Sequence, residues 1–450
     1  NQGLVALAFS GVEANLVLFS KLVLKKTNVE AANTFSIWMG TTYFFSLIGA
    51  FISDSYLGRY LTCIIFQFVF IIGFMGLSLS TRDCEQKGGL SESNTQNHFP
   101  VFYISLYLIA LGSGGFDPAL PTLAADQFDE NEPNEQRSKT LIYGYFYAAS
   151  NLGSLIAETV LAYIATTGHW VMGFWICTCC ACVSFVVLLS GTLRYRHHKS
   201  IGNPISKLTQ VIVAFFSTFI QMRSLFVEQG STMDRSFYKF QIPPASMSIF
   251  DTINTSTFII IFDVLMIPLY KKLMKKSPKL PSELQNIGIG FAMTTITLIV
   301  AGFVEKKRLN YGCENGEEKS SLTIFWLIPQ YMFLGIAEAF VSVAQMNFFT
   351  SQTPDGLESL GMGLHMFSSA LGCYVGNIIL TAVNKITSSG QGKHGWVSPN
   401  LNDGHLDMYF FLSSFIIFVD LLLYIICAKR YKEMYMEKRE EVNWEEESIV

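Results

Sequence analysis

Residues 172–190 read MGFWICTCCACVSFVVLLS, nineteen positions without a charge, a proline or a histidine. A helix rises about 1.5 Å per residue, so a run of this length matches about 30 Å of hydrocarbon. Working outward, similar blocks recur to give about twelve spans. The first six run over 1–22, 36–53, 61–80, 100–118, 142–163 and 171–192. The next six run over 207–229, 246–270, 284–304, 322–349, 359–384 and 407–428. Hydrocarbon offers the backbone no hydrogen-bond partner, so each span is predicted to be helical. Composition agrees: of 450 residues, 50% are apolar and 15% charged, where a soluble domain carries about a quarter charged. The expected fold is an all-α membrane protein of twelve transmembrane helices in two six-helix bundles.

The expected division is 1–199 for the first bundle, 200–216 for a cytoplasmic linker, 217–430 for the second bundle and 431–450 for a cytoplasmic tail. The join near Phe216–Ser217 is abrupt, as if a longer loop were missing there. Lys and Arg in the short loops favour cytoplasmic termini. Arg194, Arg196 and Lys199, the lysines between Lys271 and Lys279, and the tail would then lie inside. Lys306, Lys307 and Arg308 stand against that bias in an outer loop. The formal net charge of −4 gives no reason to expect nucleic acid as a partner. The bilayer itself is the expected partner, and the chain reads as a monomer or weak dimer. The plasma membrane is preferred over the vacuolar membrane.

The cysteine cluster at Cys177, Cys179, Cys180 and Cys182 sits in an uncharged span, where small apolar packing is the expected role rather than metal binding. Cys84 and Cys313 fall in loops on one side, which leaves a disulfide open. No cofactor and no metal is implied. No Gly-rich phosphate loop and no Ser/His/Asp set falls in one place, so the chain does not read as an enzyme.

The second span ends in Gly49-Ala50-Phe51-Ile52-Ser53-Asp54-Ser55-Tyr56-Leu57-Gly58-Arg59-Tyr60. Asp54 can cap a helix or pair with Arg59, and the glycines permit close helix approach. This string resembles the loop motif of the major facilitator superfamily, which implies that fold and a gating role for Asp54, Gly58 and Arg59. Four further strings are Ala125-Asp126-Gln127-Phe128-Asp129-Glu130, Phe146-Tyr147 with Asn151-Leu152-Gly153-Ser154-Leu155, Ile242-Pro243-Pro244-Ala245-Ser246-Met247, and Gly404-His405-Leu406-Asp407 after His394-Gly395-Trp396. Together they resemble the proton-dependent oligopeptide transporters, in particular the plant nitrate/peptide branch.

The resemblance implies a proton-coupled symporter working by alternating access. It also marks departures. The family's Glu-x-x-Glu-Arg motif on the first helix falls on Gln2, Val5 and Ala6, none of which titrates. The family's helix-four lysine falls on Asp117, and the histidine used by its nitrate carriers falls on Phe219. The helix-ten glutamate is kept as Glu338 in Gly335-Ile336-Ala337-Glu338. Asn151 matches an asparagine that contacts substrate in the peptide carriers.

Ionisable groups inside a span are costly unless they face a cavity or a partner. This marks Glu13, Asp117, Arg223, Glu228, Asp263 and Glu338. Glu13 lies close to two turns from Val5, and Arg223 one turn from Phe219, so each shares the face of a family site position. Arg223 cannot lose its charge and offers a planar fork suited to nitrate or carboxylate. Its bland alternative is a structural pair with Asp117 or Glu338. Glu338, Asp117 and Glu13 are the expected proton-coupling groups, with Asp117 and Glu338 sharing a proton beside Arg223. Phe219, Tyr147 and Trp326 could give the cavity apolar walls, and Asn151 either contacts solute or joins two helices. Glu228 is expected at a wetted helix end.

The leading expectation is a secondary active transporter of a small anion, nitrate or an organic acid such as a plant hormone. A di- or tripeptide symporter and a non-transporting solute sensor on the carrier fold are the alternatives.

Overall fold

The structure is a computed structural model that describes residues 1–86, 99–127, 146, 148–192, 219–238, 240–261, 272, 282–311, 320–353, 357–388, 395–398 and 400–449. Twelve main helices carry the chain: α1 (Gln2–Leu22), α2 (Asn28–Ile52), α3 (Arg59–Gln86), α4 (Phe99–Phe116), α5 (Ala148–Thr166) and α6 (Trp170–Ser190) in one half. The other half holds α7 (Phe219–Ser231), α8 (Ile249–Ile261), α9 (Glu283–Asn310), α10 (Ile328–Gln352), α11 (Glu358–Thr387) and α12 (Leu406–Ile449). Nine of the spans found among the described residues are long and apolar enough to cross a membrane. The chain is a multi-pass integral membrane protein whose spans are helical throughout the described residues.

Each half owns a core. One apolar cluster is drawn from α1 to α6, around Trp38, Phe70 and Phe74, with Cys373 its sole member from the other half. A second is drawn from α7 to α12, around Phe226, Tyr331 and Phe410, with Ala32 crossing over. Because helices in lipid gain little from apolar contact alone, close approach depends on small residues. At Gly49 an added Cβ would stand 2.4 Å from the Gly115 carbonyl oxygen, where α2 crosses α4. Gly49→Val is therefore expected to lower the melting temperature of the purified protein, by about 1–3 kcal/mol of overpacking. An unshifted melt would show that the α2–α4 crossing can open.

Several helix ends differ from the sequence expectation. α2 starts at Asn28 rather than near residue 36, because Thr27 and Glu30 form a reciprocal capping box. The fourth span breaks at Asp117 and Pro118 and resumes as a short helix, Ala119–Ala125. α9 runs on to Asn310, so Lys306, Lys307 and Arg308 are helical rather than a loop. Arg308 is fully buried there, bonded to Glu305 and to the side chain of Asn402. The tail beyond residue 429 continues α12 as helix to Ile449. The 200–216 linker, the Phe216–Ser217 join, Asp263 and Cys313 fall outside the described residues, as does the side chain of Cys84.

The two halves are tied at both ends. At the Gly58 end, α2 closes with a π turn (Ser53–Leu57), and Gly58 takes a φ of 76° to turn the chain into α3. That reversal swings Arg59 across to the other half. Its guanidinium bonds Asp126 and Glu358 and stands 3.5 Å from Asp54. Asp54 accepts the backbone N–H of Leu360 at 2.9 Å, capping the start of α11 from the opposite bundle. At the other end, Lys21 of α1 bonds Glu228 of α7 at 2.7 Å. Glu228 is fully buried, not wetted as expected, because α1 covers it.

Candidate functional site

Between the two cores lies a cavity whose walls include Ser10, Glu13, Val17, Phe35, Glu158 and Arg223. α1 supplies Glu13, α5 supplies Glu158 and α7 supplies Arg223, so both bundles contribute. Glu158 sits on a π turn, Ala157–Leu161, inside α5. Such bulges add one residue to a turn and re-aim a side chain, and they concentrate at functional sites.

Arg223 is the only cation of this cluster among the described residues. Its Nη2 bonds Asp251 Oδ2 at 2.6 Å and also Glu338. Its Nη1 lies 3.7 Å from Glu13. Glu158 lines the same cavity as Arg223, and it accepts the Thr252 hydroxyl at 3.1 Å. One permanent positive charge thus faces four carboxylates from α1, α5, α8 and α10. Both hydrogen bonds of Arg223 leave Nη2, so Nη1 and Nε carry no hydrogen bond to the described residues. Arg223 keeps 25% of its side-chain surface and Glu13 keeps 21%, so the site is reachable, whereas Asp251 is fully buried.

Of the residues marked in the sequence, Arg223, Glu338 and Glu13 come together. Asp117 does not join them. It accepts the Ser113 hydroxyl at 2.9 Å, one turn back along α4 at the Pro118 break. The pairing expected of Asp117 beside Arg223 is taken by Asp251. The reason is placement: Asp251 lies in the first turn of α8, which packs on α10, and Gly335 there lets α10 approach the Asp251 backbone. Trp326 is also displaced from the cavity. It lies in a short 3-10 turn, Ile324–Leu327, before α10 begins, 43% exposed, with the Lys307 ammonium 3.5 Å from its ring centroid. Asn151 donates to Ser256 Oγ at 2.7 Å, joining α5 to α8 across the bundles. Phe219 opens α7, but its side chain lies outside the described residues, as does Tyr147.

Glu158 and Asp251 were passed over in the sequence, although both lie in expected spans, 142–163 and 246–270. The rule that marked Glu338 would have marked them too.

A two-bundle helical membrane protein with an ionised cavity at the join, clasped at both ends, is built as a secondary transporter. The profile of the POT family (PTR2) matches residues 60–220 and 211–397. Protein NRT1/PTR FAMILY 7.3 of Arabidopsis thaliana is 38% identical over 544 residues, covering 98% of this chain and 88% of that protein. Protein NRT1/PTR FAMILY 7.2 of the same plant is 38% identical over 549 residues, covering 99% and 93%. Among solved structures, an auto-inhibited POT family peptide transporter superposes with a TM-score of 0.74 at 20% identity, covering 96% of each chain. The POT family transporter PepTSo gives 0.72 at 20%, covering 96% of this chain and 97% of that one. The chain belongs to the NRT1/PTR (POT) family of secondary transporters, and it is not an enzyme.

Proposed function

We propose that this carrier moves a small anion together with protons by alternating access. Arg223 holds the anion, and the carboxylates around it, Glu338 first, hold the protons. The observation that carries this reading is the imbalance at the cavity, one fixed cation against four acids. An anion entering that field meets net repulsion unless the acids take up protons. Once protonated, Glu338 gives up its bond to Nη2, and that Nη2 hydrogen with the unbonded Nη1 offers a fork to a planar anion while Asp251 keeps its own bond to Nη2. Nitrate and small carboxylates fit that fork. Protonation and anion capture are then linked in both directions, since each raises the occupancy of the other. Asp251 takes the role of Glu338's partner, and Asp117, bonded only to Ser113 among the described residues, stands apart from the exchange. The Asp54–Arg59 clasp serves as the gate at the Gly58 end.

Glu338→Gln tests the proton role. Glutamine resembles the protonated acid at every pH, so nitrate uptake into vesicles is expected to lose its stimulation by low external pH. A variant still stimulated as strongly as the parent would remove Glu338 from the coupling.

A second reading has its own support. The Glu13 carboxylate lines the cavity and makes no hydrogen bond to the described residues. Together with Arg223 it could hold the two ends of a zwitterion such as a dipeptide. Competition for uptake between nitrate and an unlabelled dipeptide separates the two readings.

A further inference from the structure

Ile289, Ile296 and Phe303 recur at seven-residue spacing along α9, and all three are exposed. Seven residues are close to two turns, so the set drifts only about 20° per step and forms one lipid-facing stripe. The helix has 28 residues, about 42 Å against about 30 Å of hydrocarbon, so its last turns stand at the membrane boundary. Lys307 lies one turn beyond Phe303 on that face. Its ammonium is 3.5 Å from the Trp326 ring centroid and 5.9 Å from that of Tyr311. Both rings are exposed.

The aromatic surface continues from there. Phe325, beside Trp326 in the chain, is exposed, and its ring centroid is 5.8 Å from that of Phe237. Phe237 stands edge-on to Tyr238 at 5.2 Å. These two belong to a small hairpin between α7 and α8, β1 (Ser236–Phe237) and β2 (Phe240–Gln241), paired antiparallel with Phe237 opposite Phe240. The hairpin base is fixed to the stretch that enters α10. Asp234 donates its N–H to the Leu322 carbonyl at 2.9 Å, and its carbonyl accepts from Ile324 at 2.8 Å. Tyr238 lies at the tip, 96% exposed, with a φ of 53°. That backbone region suits glycine or asparagine, so turning the chain gives no reason for a tyrosine there. A contiguous run of exposed rings marks an interaction surface.

We infer that this ledge, from Lys307 through Trp326, Phe325 and Phe237 to Tyr238, rests in the phospholipid headgroup layer and ties the second bundle to that leaflet. Three observations select lipid as the occupant. The ledge is continuous with the lipid-facing stripe of α9. It stands at the level of the helix ends, where α9 stops and α10 starts. It combines amphipathic rings, which settle where one edge is apolar and the other wet, with a cation suited to headgroup phosphate. Phe237 and Phe325 carry no polar side-chain atom and gain by leaving water. Every member comes from the second bundle, so the first has no share in the contact. None lines the cavity, so the inference is independent of the transport chemistry proposed above.

The test reads tryptophan fluorescence of the full chain in phospholipid vesicles, with nitroxide-labelled phospholipids and aqueous iodide as quenchers. Trp326 is read as the difference between the parent and Trp326→Phe. The tip is read as the difference between Trp326→Phe and Trp326→Phe/Tyr238→Trp. Phe237→Trp on the same background reads the ledge again if the substitution at Tyr238 disturbs the turn. Melting temperatures close to the parent's establish that the variants fold. Both positions should be quenched more by a nitroxide on the headgroup than by one at the chain end. Iodide should quench the tip far less than it quenches free tryptophan. A tip as open to iodide as free tryptophan, and out of reach of the headgroup nitroxide, would overturn the contact, whatever Trp326 shows. Stronger quenching from the chain end would overturn its place in the headgroup layer.

Discussion

Replacing Arg223 with alanine is expected to abolish nitrate-dependent flux in reconstituted vesicles. Two charge-assisted hydrogen bonds are worth about 1.5–3 kcal/mol each. Their loss corresponds to about 10²–10⁴ in affinity at 1.4 kcal/mol per decade. The variant has a second consequence. Without the guanidinium, Asp251, Glu338, Glu13 and Glu158 face one another with no cation among them. Alanine therefore tests binding only if the protein still folds, which a melting curve establishes. Arg223→Lys separates charge from shape. It keeps one positive charge but loses the planar fork, so partial flux is expected. Full flux with lysine would show that charge alone suffices, and undiminished flux with alanine would remove Arg223 from the site.

The second large effect is expected at the Lys21 end. Lys21→Met leaves Glu228 with its carboxylate buried and uncompensated, and breaking such a pair by deleting one partner costs about 3–5 kcal/mol. The melting temperature of the purified variant should fall clearly. Glu228 is fully buried and its Oε1 has no other partner among the described residues, so nothing else there takes over the charge. Lys21→Met combined with Glu228→Gln removes both charges and should recover most of the loss, since a neutral pair of similar shape is tolerated. A single variant as stable as the parent would mean that water reaches Glu228 readily. The pair joins α1 to α7, the same two helices that bring Glu13 to Arg223, and Val17 and Val227 between the two pairs line the cavity. Closure above the cavity and charge pairing within it thus act on the same helix contact.

The fold was legible because hydrocarbon enforces it. Spans of apolar residues leave no choice but helix, and the Gly49–Tyr60 string marks where one helix turns into the next. The site was legible by depth but not by direction. Hydropathy says that Asp117, Glu338, Glu158 and Asp251 all lie at membrane depth. It does not say which way each points. Asp117 is turned by the break at Pro118 toward its own helix, where Ser113 satisfies it. Glu158 is aimed by a π turn that no periodicity announces. Asp251 depends on α8 starting just after the 3-10 turn at Pro244, which sets its first turn beside α7. Trp326 fell short of the cavity because α10 begins at Ile328, later than the apolar block suggests.

The clasp at Gly58 shows the same limit. Asp54 and Arg59 are recognisable by resemblance to a loop motif, which leaves Asp54 either capping a helix or pairing with Arg59. The partners that make the motif span two bundles, Glu358 and the Leu360 backbone, lie about 300 positions further on. Short-range spacing carries no information about them. Lys21 and Glu228 are likewise 207 residues apart.

The most direct test of the account is solute uptake by the purified protein in vesicles, with labelled nitrate, a small organic acid and a dipeptide each offered with and without an inward proton gradient. The account predicts gradient-stimulated uptake of an anion by the parent and none by Arg223→Ala. Uptake indifferent to the proton gradient, or equal in the two proteins, would contradict it.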